Sequence, residues 1–288
     1  MDKLKAWLSA ARLRTLPLSL AGIFCGTALA ILSGSYDSTI FLVALVTTIC
    51  LQVTSNFAND YGDGTKGTDS DDRVGPQRAI QSGALSPKEL FVGIIASSTI
   101  SFFLVLYLVY LAFGANNLGY FLLFLVLGVF AIWAALKYTM GKSPYGYQGL
   151  GDFFVFVFFG LVAVLGTKFL FVKMLGLQDV LPAITIGVLS VGVLNLNNLR
   201  DVVSDQKHGK NTLVVKMGFQ KGKRYHFALM CIAFLSLFAF IVVTQHYKLL
   251  VLLVFFVPIA LHLIKVARTK IPAELDPELK KLALVRLV

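Results

Sequence analysis

Two acid-rich stretches interrupt an otherwise apolar chain. The first reads Asn56-Phe-Ala-Asn59-Asp60-Tyr-Gly-Asp63-Gly-Thr-Lys66-Gly-Thr-Asp69-Ser-Asp71-Asp72-Arg73, and the second Asn197-Asn198-Leu-Arg200-Asp201-Val-Val-Ser-Asp205-Gln-Lys207-His208-Gly-Lys210. Carboxylates beside a bilayer are costly unless they bind something, so such clusters mark functional sites. Asn59 and Asp63 are four residues apart, as are Asn197, Asp201 and Asp205 in turn, and on a helix that spacing stacks side chains on one face. If the preceding span continues past the membrane surface, Asn56, Asn59, Asp60 and Asp63 share a face, and the second stretch does the same. Two carboxylate faces opposed across a cavity suit hard cations, which prefer oxygen ligands. Without cations the carboxylates repel, and their pKa values rise. Lys66, Arg73, Arg78, Arg200, Lys207 and Lys210 supply the positive charge a phosphate needs. Gly62, Gly64 and Gly67 let the backbone bend closely around a ligand. Together these groups have the chemistry of a magnesium-held diphosphate.

The elements that position them are membrane helices. With 57% apolar and 14% charged residues among 288, and a mean hydropathy of +0.78, the chain exceeds what a soluble domain carries. Runs long enough to cross the roughly 30 Å hydrocarbon core fall at residues 16–32, 40–57, 90–113, 118–136, 150–167, 180–196, 227–243 and 249–264. The expected architecture is a single all-α domain over 1–288. It is a polytopic transmembrane bundle of about eight complete spans, with a central cavity capped by acidic loops around 56–86 and 197–224. A further apolar stretch begins near Leu279 and the sequence stops at Val288, which leaves a ninth span incomplete or the last helix interfacial. Ser86-Pro87-Lys88-Glu89 reads as a capping box with proline at the first helical position, so the first acidic loop ends there. A loop of roughly 25 residues in so compact a protein favours an active-site or lid role.

Basic residues set the orientation, because positively charged loops are retained in the cytoplasm. All but three of the 26 Lys and Arg (Lys168, Lys173 and Lys248) lie in the N-terminal segment, the loops after the second, fourth and sixth spans, or the tail. The N-terminus and both acidic loops are therefore expected on the cytoplasmic face of the membrane. The net charge of +11 is a topology signal, and nucleic-acid binding is an unneeded explanation. Cys25, Cys50 and Cys231 fall within apolar spans with no paired spacing, which indicates neither a disulfide framework nor a zinc site. Lys3, Lys5, Arg12 and Arg14 precede the first apolar run as in a signal peptide, yet no convincing cleavage site follows, so it reads as a retained helix.

Asn59-Asp60-Tyr-Gly-Asp63 with Asp69, followed by Asp72-Arg73-Val-Gly-Pro-Gln-Arg78 and Ser82-Gly83, resembles the first aspartate motif of the UbiA superfamily of intramembrane aromatic prenyltransferases. Asn198-Leu-Arg200-Asp201-x-x-x-Asp205-x-x-x-Gly209-Lys210-x-Thr212 resembles its second. The first departs from the superfamily's Asp-x-x-x-Asp, since Asp60 and Asp63 are three apart and Asp63 and Asp69 six. That variant, with Lys137-Tyr138-Thr and Pro144-Tyr145-Gly-Tyr147-Gln-Gly149-Leu-Gly151-Asp152, is similar to the branch that prenylates 1,4-dihydroxy-2-naphthoate, a step of menaquinone synthesis.

The resemblance implies a bacterial cytoplasmic membrane enzyme that takes a polyprenyl diphosphate as donor and 1,4-dihydroxy-2-naphthoate as acceptor, with the lipid bilayer around it. It implies two Mg2+ ions held by Asp60, Asp63, Asp69, Asp201 and Asp205. Asn56, Asn59, Asn197, Arg78 and Lys210 would orient the aspartates or contact the diphosphate, and Lys137, Tyr138 and Lys142 would line the naphthoate pocket. Each acid has a plainer reading as a turn-forming or helix-ending residue at the membrane surface. Asp152 is as readily an N-cap as a catalytic group, Phe153 to Phe159 reads as a packing surface, and His226, His246 and His262 show no ligand spacing. A CDP-alcohol phosphotransferase would place its acids in one motif with an arginine after Asp-Gly, where Asp63-Gly64 is followed by Thr65-Lys66. A secondary transporter would carry charge near the midplane, whereas these spans are almost uncharged. Within the enzyme class, prenylation of 4-hydroxybenzoate is the alternative.

Overall fold

The computed structural model describes residues 3–68 and 77–285, and it is built from helices alone among them. Helix α1 (Lys3–Ala11) leads through Arg12, which adopts a left-handed conformation (φ 49°), and the 3₁₀ turn Leu13–Thr15 into α2 (Leu16–Leu32). Pro17 in the first turn of α2 pre-sets helical φ where its missing N–H costs nothing. Helix α3 (Ser38–Thr65) starts at Asp37, whose carboxylate accepts the N–H groups of Thr39 and Ile40, and continues for 28 residues. That length, about 42 Å at 1.5 Å per residue, exceeds the bilayer core, so its last turns carry the first acidic motif out of the apolar slab. Helix α4 (Pro87–Phe113) begins with the expected capping box: Ser86 accepts from the Glu89 N–H, and Glu89 accepts from the Ser86 N–H. Helix α5 (Leu118–Lys137) buries only Ala134, so most of its circumference faces lipid.

The next span, Gly151–Val172, is continuous but not uniform: α6 (Gly151–Val155) passes through the π-helical segment Phe156–Gly166 into α7 (Thr167–Val172). Central to the bundle is α8 (Val180–Arg200), buried along most of its length, followed by α9 (Val202–Lys207) and α10 (Leu213–Met217). Helix α11 (Phe219–Thr244), the 3₁₀ stretch Tyr247–Phe255 with α12 (Phe256–Arg268), and α13 (Asp276–Val285) complete the chain.

Among the described residues, seven helices are long and apolar enough to cross a membrane, and α1 with α2 makes an eighth only as a pair bent by 49°. The first expected span, 16–32, is the continuous helix α2, which with 17 residues counts as a crossing only together with α1, and the left-handed Arg12 turns the chain ahead of it. The terminal helix begins at Asp276, three residues before the apolar stretch that announced it.

Backbones close together where side chains vanish. A Cβ on Gly160 would lie 2.6 Å from the Gly187 Cα, and one on Gly22 would lie 2.5 Å from the Ala163 Cβ. The π-helical segment is therefore wedged between α2 and α8 with no room for a methyl group. A polar chain also crosses the apolar interior. His226 Nδ1 meets Asn195 Oδ1 at 3.2 Å, the two Nε2 atoms of His226 and His262 are 2.9 Å apart, and His262 Nδ1 lies 2.8 Å from Glu278 Oε2. His226 and His262, without ligand spacing in the sequence, join α8, α11, α12 and α13.

Candidate active site

Both acidic motifs sit at one end of the bundle, on the last turns of α3 and at the α8–α9 junction. Asn56, Asp60 and Asp63 are all buried on α3. Three residues on a helix separate directions by about 60°, and Asp60 and Asp63 serve different neighbours. Asp60 faces α1: Arg12 donates to its Oδ1, and Arg78 Nη1 lies 3.4 Å from the same atom. Beside it opens a cavity of about 220 Å³ lined by Leu8, Ser9, Arg12, Leu13, Gln77 and Arg78. Asn56 holds the turn that presents Arg12, donating to the carbonyl of Ala11 (2.8 Å) and to Thr15 Oγ1 (3.2 Å).

Asp63 faces the second motif. Its Oδ2 lies 3.9 Å from Lys210 Nζ, and Asp205 Oδ1 lies 3.7 Å from the same nitrogen. One ammonium thus stands between carboxylates that are distant in sequence. Burial opposes the Lys210 charge, but Asp63 and then Asp205 override it and raise the group above the ordinary lysine value. Backbone bonds continue the helical ladder through the break at Asp201, Asp201 N–H to Asn197 O and Asp205 N–H to Asp201 O, and past the end of α9 Lys210 N–H closes back on Asp205 O. That ladder stacks Asn197, Asp201 and Asp205 as their spacing suggested.

Asp201 is engaged separately. Arg200 forks onto it from Nε (2.7 Å) and Nη2 (2.6 Å), reaches Asn197 Oδ1 at 2.8 Å, and with Nη1 grips Asp276 of α13 at 2.7 Å. Bidentate guanidinium–carboxylate pairs are geometrically specific, so Asp201 is oriented from behind by its own neighbour.

The connector after α5 completes the site. Thr139 Oγ1 donates to the carbonyl of Ala58 (2.9 Å) and lies 3.3 Å from Asn59 Oδ1, while Lys66 donates to the Thr139 carbonyl. Gly62 makes this approach possible, because a Cβ there would lie 2.6 Å from Thr139 Oγ1. In the 3₁₀ turn Tyr145–Gln148, Tyr147 Oη donates to Asp63 Oδ1 (2.8 Å), and its carbonyl accepts the Asn211 N–H (3.1 Å). Burial pushes the Tyr138 phenol up to about 12, Lys210 pulls it back, and Asp63, Asp152 and Asp205 push it further, so it remains a proton donor at neutral pH.

The structure therefore brings Asp63, Asp205, Lys210 and Tyr138 together, and sets Asp60 with Arg78, and Asp201 with Asn197, on either side. Lys137 and Lys142 are exposed and, among the described residues, make no ion pair with these acids. Asp69 lies outside the described residues, as do Asp71, Asp72 and Arg73. Asp152 is buried in the first turn of α6 and accepts from Tyr225 Oη at 3.1 Å, as a packing contact of α11. Arg12, Thr139 and Tyr147 are the residues that spacing missed. Arg12 carried a signal, an arginine set between two apolar helices, but it read as a topology charge.

Among the described residues, no three His, Cys, Asp or Glu side chains form a metal cage. The oxygen donors Asp63 and Asp205 nevertheless fit a hard cation, since both already bracket one positive charge. Asp60 and Asp201 are taken up by arginines.

The UbiA prenyltransferase family model matches residues 19–284. A 1,4-dihydroxy-2-naphthoate octaprenyltransferase of Haemophilus influenzae is 45% identical over 290 aligned positions, covering 100% of this chain and 94% of that protein. Its namesake from Escherichia coli is 43% identical, covering 83% of this chain and 79% of that protein. The apo structure of a UbiA homolog from Aeropyrum pernix K1 superposes with a TM-score of 0.66 at 17% identity, covering 97% of this chain and 96% of that one, a likeness of fold. With its paired acidic motifs at one end of a helical bundle, and a family match across nearly its whole length, the chain belongs to the UbiA prenyltransferase family.

Proposed function

We propose that this membrane enzyme transfers a polyprenyl group from an allylic polyprenyl diphosphate to 1,4-dihydroxy-2-naphthoate, releasing diphosphate and carbon dioxide and forming demethylmenaquinol. The observation that carries the reading is the meeting of Asp63 and Asp205 at Lys210, in a chain 45% identical to a named 1,4-dihydroxy-2-naphthoate octaprenyltransferase. Magnesium is the proposed cofactor, held through Asp63 and Asp205 with support from Asp60, Asp69 and Asp201; when bound it neutralises charge on the departing diphosphate.

The protein's own groups do the positioning. Lys210, Arg78 and Arg12 gather phosphate oxygens at the mouth of the bundle, where fixed donors in a partly dry site act strongly on developing charge. The allylic carbon–oxygen bond breaks with its electron pair going to diphosphate. The ring carbon bearing the carboxylate attacks the allylic carbon, and the electrons of the carbon–carboxylate bond return to the ring as carbon dioxide leaves. Orientation supplies much of the rate, and the apolar helices receive the isoprenoid while excluding water from the cation. Tyr138, whose phenol keeps its proton at neutral pH, is the proposed donor to an oxygen of either substrate.

The site-bearing end is assigned to the cytoplasm of a bacterial cell, on the strength of the basic residues clustered there. Cysteines placed at Lys142 and at Lys248 test this: in intact cells an impermeant thiol reagent is expected to label only the second.

Mass spectrometry of products tests the reaction. The purified protein is incubated with magnesium, a short allylic diphosphate and either 1,4-dihydroxy-2-naphthoate or 4-hydroxybenzoate. A prenylated naphthalene lacking the carboxylate is expected; a prenylated benzoate that keeps its carboxylate would move the acceptor and retain the metal site.

A further inference from the structure

Tyr147 lies in the short turn between α5 and α6, outside both acidic motifs, yet it touches both of them. Its hydroxyl lies 2.8 Å from Asp63 Oδ1 and 2.6 Å from Thr68 Oγ1. A phenol has one proton, and the carboxylate can only accept, so Tyr147 donates to Asp63 and Thr68 donates to Tyr147. Lys66 Nζ lies over the ring 4.7 Å from its centre and Lys210 Nζ at 5.6 Å, both within cation–π reach. Its carbonyl accepts from Asn211, and Lys216 Nζ donates to the neighbouring Gln148 carbonyl at 2.5 Å. One residue thus touches the first motif through Asp63, Lys66 and Thr68, and the second through Lys210 and Asn211.

We infer that Tyr147 is a positioning residue for diphosphate binding, one that locks the Asp63 carboxylate so that Oδ2 points at the second motif while the aromatic ring keeps two lysines beside it. This deepens the proposed prenyl transfer and rests on that reading. With Oδ1 tied to the phenol, Oδ2 is the oxygen turned toward Lys210, whose charge Asp205 also meets. Without the hydroxyl, the carboxylate is free to rotate and to collapse onto Lys66 or Lys210.

The test compares Tyr147→Phe, which keeps the ring and loses the donor, with wild type, Asp63→Asn and the double variant. Tyr145→Phe is the control: that phenol donates to the Ala134 carbonyl, away from the acids. Calorimetry with a non-reactive prenyl thiodiphosphate and magnesium reads binding without turnover, and steady-state assays read kcat and both KM values. Tyr147→Phe is expected to weaken analogue binding about tenfold, the worth of one hydrogen bond to a charged group. It should raise KM for the donor, leave KM for the naphthoate within about twofold, and leave Tm within a few degrees. Tyr145→Phe should match wild type. Asp63→Asn and the double variant should bind the analogue equally, because the phenol acts through that carboxylate. Wild-type affinity in Tyr147→Phe, or the same loss in the Asp63→Asn background, would overturn the inference. If wild type binds the thiodiphosphate but makes no prenylated naphthalene, the proposed reaction fails, and the binding comparison still decides the role of Tyr147.

Discussion

Asp63 and Asp205 approach one nitrogen from two ends of the sequence, whereas Asp60 and Asp201 are each gripped by an arginine. This division gives the acids different neighbours at one site. Asp63→Ala and Asp201→Ala should each lower kcat by about 10²–10³-fold or more while the protein stays folded in detergent, since charge stabilisation in such a site carries rate; product formation and size-exclusion profiles check both. Arg12→Ala should act differently, raising KM for the donor about tenfold with little change in KM for the naphthoate, because it removes a fixed charge-assisted contact beside Asp60. The acids were legible in the sequence from type and spacing alone, and so was the pairing of the motifs. Their grouping was not: the spacing suggested that Asn56, Asn59, Asp60 and Asp63 shared one face, and the 60° turn between Asp60 and Asp63 sends them to separate partners. The roles of Arg12 and Tyr147, one read as a topology charge and the other only as part of a motif, were hidden because their partners lie 48 and 84 residues away.

Helices were the most legible element, since an apolar run of spanning length has few other uses. What the run length does not carry is local winding. The π-helical segment Phe156–Gly166 packs against α8 at the close Gly160–Gly187 contact, and the left-handed Arg12 bonds Asp60 of α3. Gly160→Val should therefore push α8 off its neighbour and lower Tm by several degrees or abolish folding, read by thermal unfolding in detergent, as overpacking does in close-packed interiors. Helix α13 is held through Glu278, which accepts from Lys281 (2.6 Å) and meets His262 (2.8 Å). Burial pushes that carboxyl up, but the Lys281 and His262 hydrogen bonds prevail and hold it below its usual range. A carboxyl depressed in the folded state stabilises above its unfolded pKa of about 4.3 and loses that contribution as pH falls through the folded value. Protease sensitivity of the C-terminal segment should rise below about pH 4, and Glu278→Gln should flatten that rise.

At the scale of the whole molecule, the polar machinery is confined to one end, and the rest presents apolar side chains such as Phe103, Val126, Leu235 and Val254 outward. That asymmetry was readable from composition and from the placement of lysine and arginine. The geometry of the convergence needed the tertiary fold, because connectors distant in sequence meet the end of α3 there, with Gly62 making room for Thr139. Lys210 gives this end a built-in counter-ion. Carboxylates brought this close would otherwise drive the motifs apart, so a protein relying wholly on an external cation would loosen each time that cation left. Here a tethered ammonium keeps the gap neutralised between turnovers. Chelation with EDTA should therefore abolish product formation while shifting Tm by no more than a few degrees, and Lys210→Met should make Tm depend on added magnesium, both read by thermal unfolding. On the proposed magnesium dependence, the enzyme's lifetime in the membrane would be uncoupled from its metal supply, and scarcity of the ion would idle the catalyst without condemning it to degradation.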